Sequence, residues 1–240
     1  KTKFVYSRYM KIGDVELKWL GNSGFLILNS TRKGVPLEGG KIIYIDPYQI
    51  KGNLPKADII LLTHDHYDHC SVADLEKIID SGTTILMTSG CQSKVARFDI
   101  PLRMELVSPG QDYEVGQIKI STFPAYNVNK HFHKKDEELV GFIIKMKDVI
   151  IYHAGDTDLI PEMSKLTGYN KHDKTFIALL PVGGRFTMSA EEAAEAAKRI
   201  RPSVAIPMHW GSVMGTEEDA EEFKELAEKE GVKVKILRKE

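Results

Sequence analysis

Residues 59–69 read Ile59-Ile60-Leu61-Leu62-Thr63-His64-Asp65-His66-Tyr67-Asp68-His69, an apolar run followed at once by seven residues of which five carry imidazole or carboxylate groups. The apolar run fits a short strand buried on both faces. If the backbone stays extended beyond Leu62, the two-residue period of a strand puts His64, His66 and Asp68 on one side and His69 on the other. Three imidazoles and a carboxylate over six positions concentrate the donors that divalent transition metals take, with room for two adjacent metal positions on one loop. The chain has only eight histidines in 240 residues, so a solvated loop is a poor account of this spacing.

Working outward, short apolar or alternating runs bounded by Gly, Pro and Asp predict strands over 4–10, 15–20, 25–29 and 42–45 before the motif. A helix over 71–79 follows it, with Ser71 and Asp74 in a capping-box-like relation and Val72, Leu75, Ile78 and Ile79 on one face. Further strands are predicted over 84–87, 118–123, 139–146, 149–153, 176–180, 204–206 and 232–237. Two more helices are expected: 190–200, opened by Ser189 with Glu192 and closed before Pro202, and 216–230, ended by Gly231. Many strands with amphipathic helices predict sheets covered on their outer faces by helices. With no low-complexity linker, residues 1–240 read as a single domain.

Composition narrows the partners. The chain is 42% hydrophobic and 28% charged, and 33 Lys and Arg against 34 Asp and Glu give a net charge of −1. Nothing in that balance draws the protein to nucleic acid or an anionic membrane. The longest apolar runs fall far short of the roughly 18 residues of a membrane span, and residues 1–10 lack the apolar region of a signal peptide, which predicts a soluble, cytoplasmic protein. Cys70 and Cys91 can form at most one bridge and read as free thiols. Cys70, at the first turn of a helix, reads as buried.

The motif resembles the signature of the metallo-β-lactamase-fold hydrolases. That resemblance implies an α/β fold of the four-layer αββα sandwich type, with a metal site between the sheet edges. It also asks for a metal-bridging Asp after a strand and a last His after another. Ile150-Ile151-Tyr152-His153-Ala154-Gly155-Asp156-Thr157 supplies Asp156, and Ala205-Ile206-Pro207-Met208-His209-Trp210-Gly211 supplies His209. Pro181-Val182-Gly183-Gly184 with Thr187-Met188 further resembles the short lactamase-like metal-dependent hydrolases.

One departure stands out. Relatives place a metal-binding His soon after a Pro-Ala pair, whereas Pro124-Ala125-Tyr126 is followed here by Asn127. His131 and His133 are the replacements, and His133, followed by Lys134 and Lys135, is preferred. The resemblance then implies one ion on His64, His66 and His133, a second on Asp68, His69 and His209, and Asp156 between them, with Asp68 and Asp156 holding the attacking water. Zinc is the expected ion, and manganese and iron suit the same donors.

Other residues carry alternatives. Asp46 stands where relatives support the metal loop, and a strand-ending turn before Pro47 accounts for it as well. His153 is either a support for the site, a substrate contact or a satisfied buried histidine. Tyr126, Lys130 and Arg185 offer contacts to an anionic small-molecule substrate. The implied activity is metal-dependent hydrolysis of an ester, lactone, amide or phosphodiester. A mononuclear-iron persulfide dioxygenase and a non-catalytic metal-binding module are the competing readings, and metal content separates them. No basic cluster or added domain points to a nuclease.

Overall fold

The computed structural model describes residues 6–32, 35–170 and 173–240, and among them the chain forms two sheets. The first holds β1 (Tyr9–Ile12), β2 (Val15–Gly21), β3 (Gly24–Arg32), β4 (Val35–Ile45), β5 (Ile59–Leu62), β6 (Thr84–Met87) and β7 (Arg103–Leu106), side by side in that order. β1 to β4 form an antiparallel meander, and β5, β6 and β7 each add parallel to the strand before. The second runs from β8 (Asp112–Val115) through β9 (Ile118–Pro124), β10 (Val140–Lys145), β11 (Val149–His153) and β12 (Thr175–Pro181) to β13 (Val204–Met208). Its last three strands are parallel.

The layers follow from side-chain parity. Phe25 and Ile27 of β3, Ile43 and Ile45 of β4, and Ile59 and Leu61 of β5 join the core shared with the second sheet. Their neighbours Leu26, Leu28, Ile42, Tyr44, Ile60 and Leu62 face a separate core. That outer core is closed by Leu75 and Ile78 of α1 (Val72–Ile78) and Val95 of the short α2 (Gln92–Val95). The second sheet is covered by α3 (Ala190–Ile200) and α4 (Glu217–Lys229), which pack on β12, β13 and each other. The buried face of α3 is mostly alanine, which lets the helices approach closely. The expected αββα sandwich is the observed architecture. No helix among the described residues is long and apolar enough to cross a membrane.

Both capping boxes of the second half form: Ser189 with Glu192 opens α3, and Thr216 with Asp219 opens α4. The one expected at Ser71 does not. Its hydroxyl donates instead to the Asp74 carboxylate, 2.7 Å away, which also accepts the backbone N–H groups of Gln49 (2.8 Å) and Ile50 (3.1 Å). A buried carboxylate that pins the loop after β4 outcompetes the local cap. The strand expected over 232–237 is reduced to single bridges, Val234 to Ala205 of the second sheet and Leu237 to Ser7 beside the first. A segment that crosses from one sheet to the other cannot build a ladder on either. Of the strand expected over 4–10, positions 4 and 5 lie outside the described residues, and the observed strand starts at Tyr9 and runs to Ile12. Strands β7 and β8 escape the sequence patterns because they are exposed edges carrying little of the apolar signal that marks a buried strand.

Candidate metal centre

The chain enters this site from the carboxyl ends of five strands, where open α/β sheets bind ligands. Asp46 follows β4, the His-rich loop follows β5, Asn127 and His133 follow β9, Asp156 follows β11, and His209 comes directly after β13. The loops are tied to one another. His209 N–H donates to the Asn22 carbonyl (2.9 Å), and the Asn22 amide donates to Asp68 Oδ2 (2.9 Å). Gly141 lets β10 pass the end of β11, since a Cβ there would lie 2.5 Å from the His153 carbonyl oxygen.

Seven donor side chains converge. Three groups have their donor atoms within 4.8 Å of one another: His64, His66 and His133; His64, His69 and Asp156; Asp68, His69 and His209. Asp156 Oδ2 is central, lying 3.3 Å from Nε2 of His69 and of His209, 3.5 Å from His133 Nε2 and 3.9 Å from His64 Nε2. His66 Nδ1 stands 3.1 Å from both His64 Nε2 and His133 Nε2. Asp68 Oδ2 is 3.4 Å from His69 Nε2 and 3.7 Å from His209 Nε2. A cavity of about 260 Å³ opens over the cluster, floored by His66, Asp68, His133, Asp156 and His209.

The outer ring of hydrogen bonds decides which nitrogen faces the centre. His69 Nδ1 meets Asp46 Oδ2 at 2.7 Å. Thr63 donates its hydroxyl to the same oxygen (2.6 Å) and its N–H to Asp46 Oδ1 (2.9 Å), leaving a Thr63 lone pair for His64 Nδ1 at 3.0 Å. His133 Nδ1 meets the Phe186 carbonyl at 3.1 Å. With each Nδ1 proton directed at an acceptor, the three Nε2 lone pairs face the cluster, the arrangement metal-binding histidines need.

Charge supports the same reading. Burial by itself raises the Asp156 carboxyl, but His209 and His69 outweigh it and hold it well below the usual carboxylate range. Burial raises the Asp68 carboxyl as well, but the His69 imidazole beside it outweighs burial and leaves it lowered too. Burial pushes His64 and His133 down, keeping both neutral. For His69 and His209 burial pulls down, but the carboxylates around them win and raise both. The negative potential that draws a proton to those ring nitrogens draws a cation equally. His69 Nε2 and Asp156 Oδ1 are buried without a hydrogen-bond partner, orphan donors that a metal would satisfy.

The remaining candidates sort cleanly. His133 is buried in the cluster, whereas His131 is exposed. Asp46 is fully buried and serves as the hub of Thr63 and His69 rather than as a turn residue alone. His153 spends both nitrogens on backbone, Nε2 on the Ser23 carbonyl (2.8 Å) and Nδ1 on the Gly155 N–H (3.2 Å). It therefore joins the loop of Asn22 to the loop of Asp156 and does not line the cavity. Tyr126, Lys130 and Arg185 do not line it either. Tyr126 donates to Glu162, Lys130 pairs with Asp158, and Arg185 lies over the Phe186 ring. Cys70 and Cys91 are buried free thiols behind the His-rich loop.

Sequence reasoning passes over Asn22 and the supporting role of Asn127. The Asn127 side chain donates to the carbonyls of Phe132 (2.9 Å) and Phe186 (2.7 Å), and its N–H donates to the His133 carbonyl (2.7 Å). The residue that follows Pro124-Ala125-Tyr126 thus holds the loop that brings His133 in. Four of the supporting or cluster positions, Asn22 (φ 49°), Asp46 (φ 41°), His133 (φ 56°) and His209 (φ 58°), have left-handed backbone, a conformation that L side chains adopt only under constraint from their surroundings.

Known proteins match this chain over most of its length. A family model described as a beta-lactamase superfamily domain matches residues 16–209. A UPF0173 metal-dependent hydrolase from Caldivirga maquilingensis is 33% identical over 219 residues, covering 88% of this chain and 89% of that protein. Another from Staphylothermus marinus is 35% identical over 223 residues, with 88% and 90% covered. The solved structure of Igni18, a metallo hydrolase from Ignicoccus hospitalis, superposes with a TM-score of 0.71 at 25% identity, covering 93% of this chain and 95% of that one. Fold, donor cluster and relatives agree, and the chain belongs to the beta-lactamase superfamily, within its UPF0173 family of metal-dependent hydrolases.

Proposed function

We propose that the site takes two divalent ions: His64, His66 and His133 would hold one, Asp68, His69 and His209 would hold a second, and Asp156 is within reach of both donor groups. The observation that carries this reading is the position of Asp156 Oδ2, within 3.3–3.9 Å of four imidazole nitrogens drawn from both groups. Imidazole and carboxylate donors suit zinc, and the tight packing of five histidines disfavours hard, oxygen-seeking ions such as calcium. Two such ions, when bound, lower the pKa of a water and stabilise charge on the entering and leaving oxygens of a displacement.

The chain's own residues set up the rest. Asp68 and Asp156 are both held ionised and orient an attacking water toward the cavity. Asn22 fixes Asp68 by donating to the same oxygen that faces His69 and His209. Asp46 and Thr63 keep His69 and His64 in the ligating tautomer. The reaction is hydrolysis of a small molecule at an ester, lactone, amide or phosphodiester bond: the bond to the leaving group breaks, the water oxygen joins the attacked centre, one of the water's protons goes to the departing oxygen or nitrogen, and the other stays on the new acid or is released from it.

Metal content by plasma mass spectrometry, on protein purified without chelator or affinity metal, tests this reading. Near two zinc or manganese equivalents per chain supports it, and one iron per chain overturns it in favour of dioxygenase chemistry. His66→Ala and Asp156→Asn should each lose metal and hydrolytic activity. Unchanged metal content in either variant refutes the ligand assignment.

A further inference from the structure

We infer that the substrate of this site carries an uncharged, apolar flank, a single aromatic ring or a short alkyl chain, beside the bond that is cut, and that Phe132, Phe186 and Tyr67 select it. The inference rests on the hydrolase reading for the bond itself and on the cavity walls for the flank. Above the donor cluster the walls are Tyr67, Phe132, Phe186 and Val213. Phe132 and Tyr67 are 51% and 61% exposed, so two large rings stand in water at the mouth of one cavity. Neither hangs loose. Phe132 meets Phe186 edge-on with ring centroids 4.9 Å apart, and Tyr67 meets Tyr48 edge-on at 5.8 Å. Exposed apolar surface clustered at a concave site marks a place where apolar ligand surface is received.

Charge points the same way. No lysine or arginine lines the cavity among the described residues. Of the cations near these residues in sequence, Lys130 pairs with Asp158 and the Thr187 carbonyl, Lys135 pairs with Glu162 and the Tyr126 ring, Arg185 lies over the Phe186 ring, and Lys134 is exposed; none of the four lines the cavity. A carboxylate or phosphate on the flank would lie against phenyl rings without a partner, which is unfavourable. Tyr126, Lys130 and Arg185, which from sequence suggest contacts to an anionic substrate, therefore offer a charged flank no partner in this cavity. Its volume, about 260 Å³, is below the roughly 300–1,000 Å³ of cavities that take drug-sized ligands, so the flank is small.

Matched probes separate the inference from the reading beneath it. Phenyl butyrate and phenyl hydrogen succinate differ by a terminal carboxylate on the acyl chain. Enzymatic hydrolysis breaks the acyl C–O bond of each, adds the water oxygen to the acyl carbon and releases phenol; the phenol that the succinate expels on its own, when its carboxylate attacks the ester to form succinic anhydride, is subtracted with a protein-free blank. Butyrophenone and 4-oxo-4-phenylbutanoate are the corresponding ketones, which bind without being cut, and their affinity is read by calorimetry on the metal-loaded protein. We expect the neutral member of each pair to be favoured at least tenfold, in kcat/KM for the esters and in Kd for the ketones. Phe132→Ala should raise KM for phenyl butyrate severalfold with little change in kcat, and Phe132→Lys should raise kcat/KM for the succinate ester. Since Phe132 is exposed, neither variant endangers folding. Equal or better use of the carboxylate-bearing members, or no detectable binding of either ketone, overturns the inference. A tenfold ketone preference with neither ester cut upholds the apolar flank and instead removes esters from the proposed function.

Discussion

Replacing Asp46 by Asn changes one atom and tests the logic of the centre. Asp46 accepts three hydrogen bonds: Thr63 N–H at Oδ1, and the Thr63 hydroxyl and His69 Nδ1 at Oδ2. An asparagine has one acceptor oxygen and one donating NH2. If its oxygen stays with Thr63 N–H, the NH2 faces His69 Nδ1. That nitrogen must then accept, which moves the ring proton to Nε2, the nitrogen 3.3 Å from Asp156. If the amide is turned over, His69 keeps its tautomer but NH2 opposes the Thr63 N–H, and a buried donor is orphaned. The first outcome blocks a proposed metal ligand and the second unsettles the His-rich loop. Substitutions of such supporting groups weaken metal affinity about 10- to 100-fold, and at ~1.4 kcal/mol per factor of ten this is about 1.4–2.8 kcal/mol. Competition against a chromogenic chelator at pH 7.5 measures it. Unfolding of the stripped proteins should differ by only about 1 kcal/mol, the worth of one hydrogen bond. Metal affinity within twofold of wild type would refute the assignment of Asp46 as the group that sets the His69 tautomer.

Other expectations follow from the same structure. Each metal ion bound only to the folded state at about 100 times its Kd contributes ~2.7 kcal/mol, so two contribute about 5.4 kcal/mol, and at roughly 2–4 °C per kcal/mol for a chain of this size full chelation should lower Tm by about 11–22 °C; an unchanged Tm after complete demetallation would contradict a buried site. Burial opposes the ionised form of Asp74, but Lys77, Ser71 and the Gln49 N–H outweigh it and depress its carboxyl. Its contribution is therefore full above the ordinary carboxylate range near pH ~4 and is lost as pH falls through its lower folded value. Asp74→Asn should cost about 2–3 kcal/mol in urea unfolding at pH 7 and clearly less at pH 3, and an equal gap at both would show that charge is not the cause. Gly141→Ala should lose folded protein, because its Cβ would meet the carbonyl oxygens of His153 and Ala154 at 2.5 and 2.7 Å, while Gly168→Ala, with nothing within 4 Å, should leave Tm unchanged or slightly raised. Comparable Tm values for the two variants would contradict the packing argument.

The legible parts of this fold are those where burial writes a period into the chain. The run Ile59–Leu62 splits between two cores on alternate residues, and an unbroken apolar run of that length marks a strand by composition alone. Caps are legible where the partners lie within one turn, as in Ser189 with Glu192. The rule fails at Ser71, whose partner Asp74 is claimed by Gln49 and Ile50, more than twenty residues away. The donors in the loop and at Asp156 and His209 stand out because imidazole and carboxylate side chains directly follow apolar strands. The supporting residues are harder to read, since an asparagine such as Asn22 or Asn127 acquires its role from loops that only the folded chain brings together. The cavity walls are hidden for the same reason: Phe132 and Phe186 are 54 positions apart, and nothing local marks them as neighbours.

The left-handed backbone at Asn22, Asp46, His133 and His209 sets the site against the stability of its own scaffold. Glycine adopts that geometry freely and asparagine more readily than most, while an ordinary side chain there costs about 1–2 kcal/mol. A glycine at His133 or His209 would relax the chain and delete a proposed ligand in the same step. Selection for heat resistance without metal in the medium should therefore accumulate glycine or asparagine at these positions and drain the protein of its chemistry while its sheets grow firmer. With metal present, the bound ion would make the same histidines the stabilising choice. The ranking of variants at these two positions should reverse with the metal content of the medium.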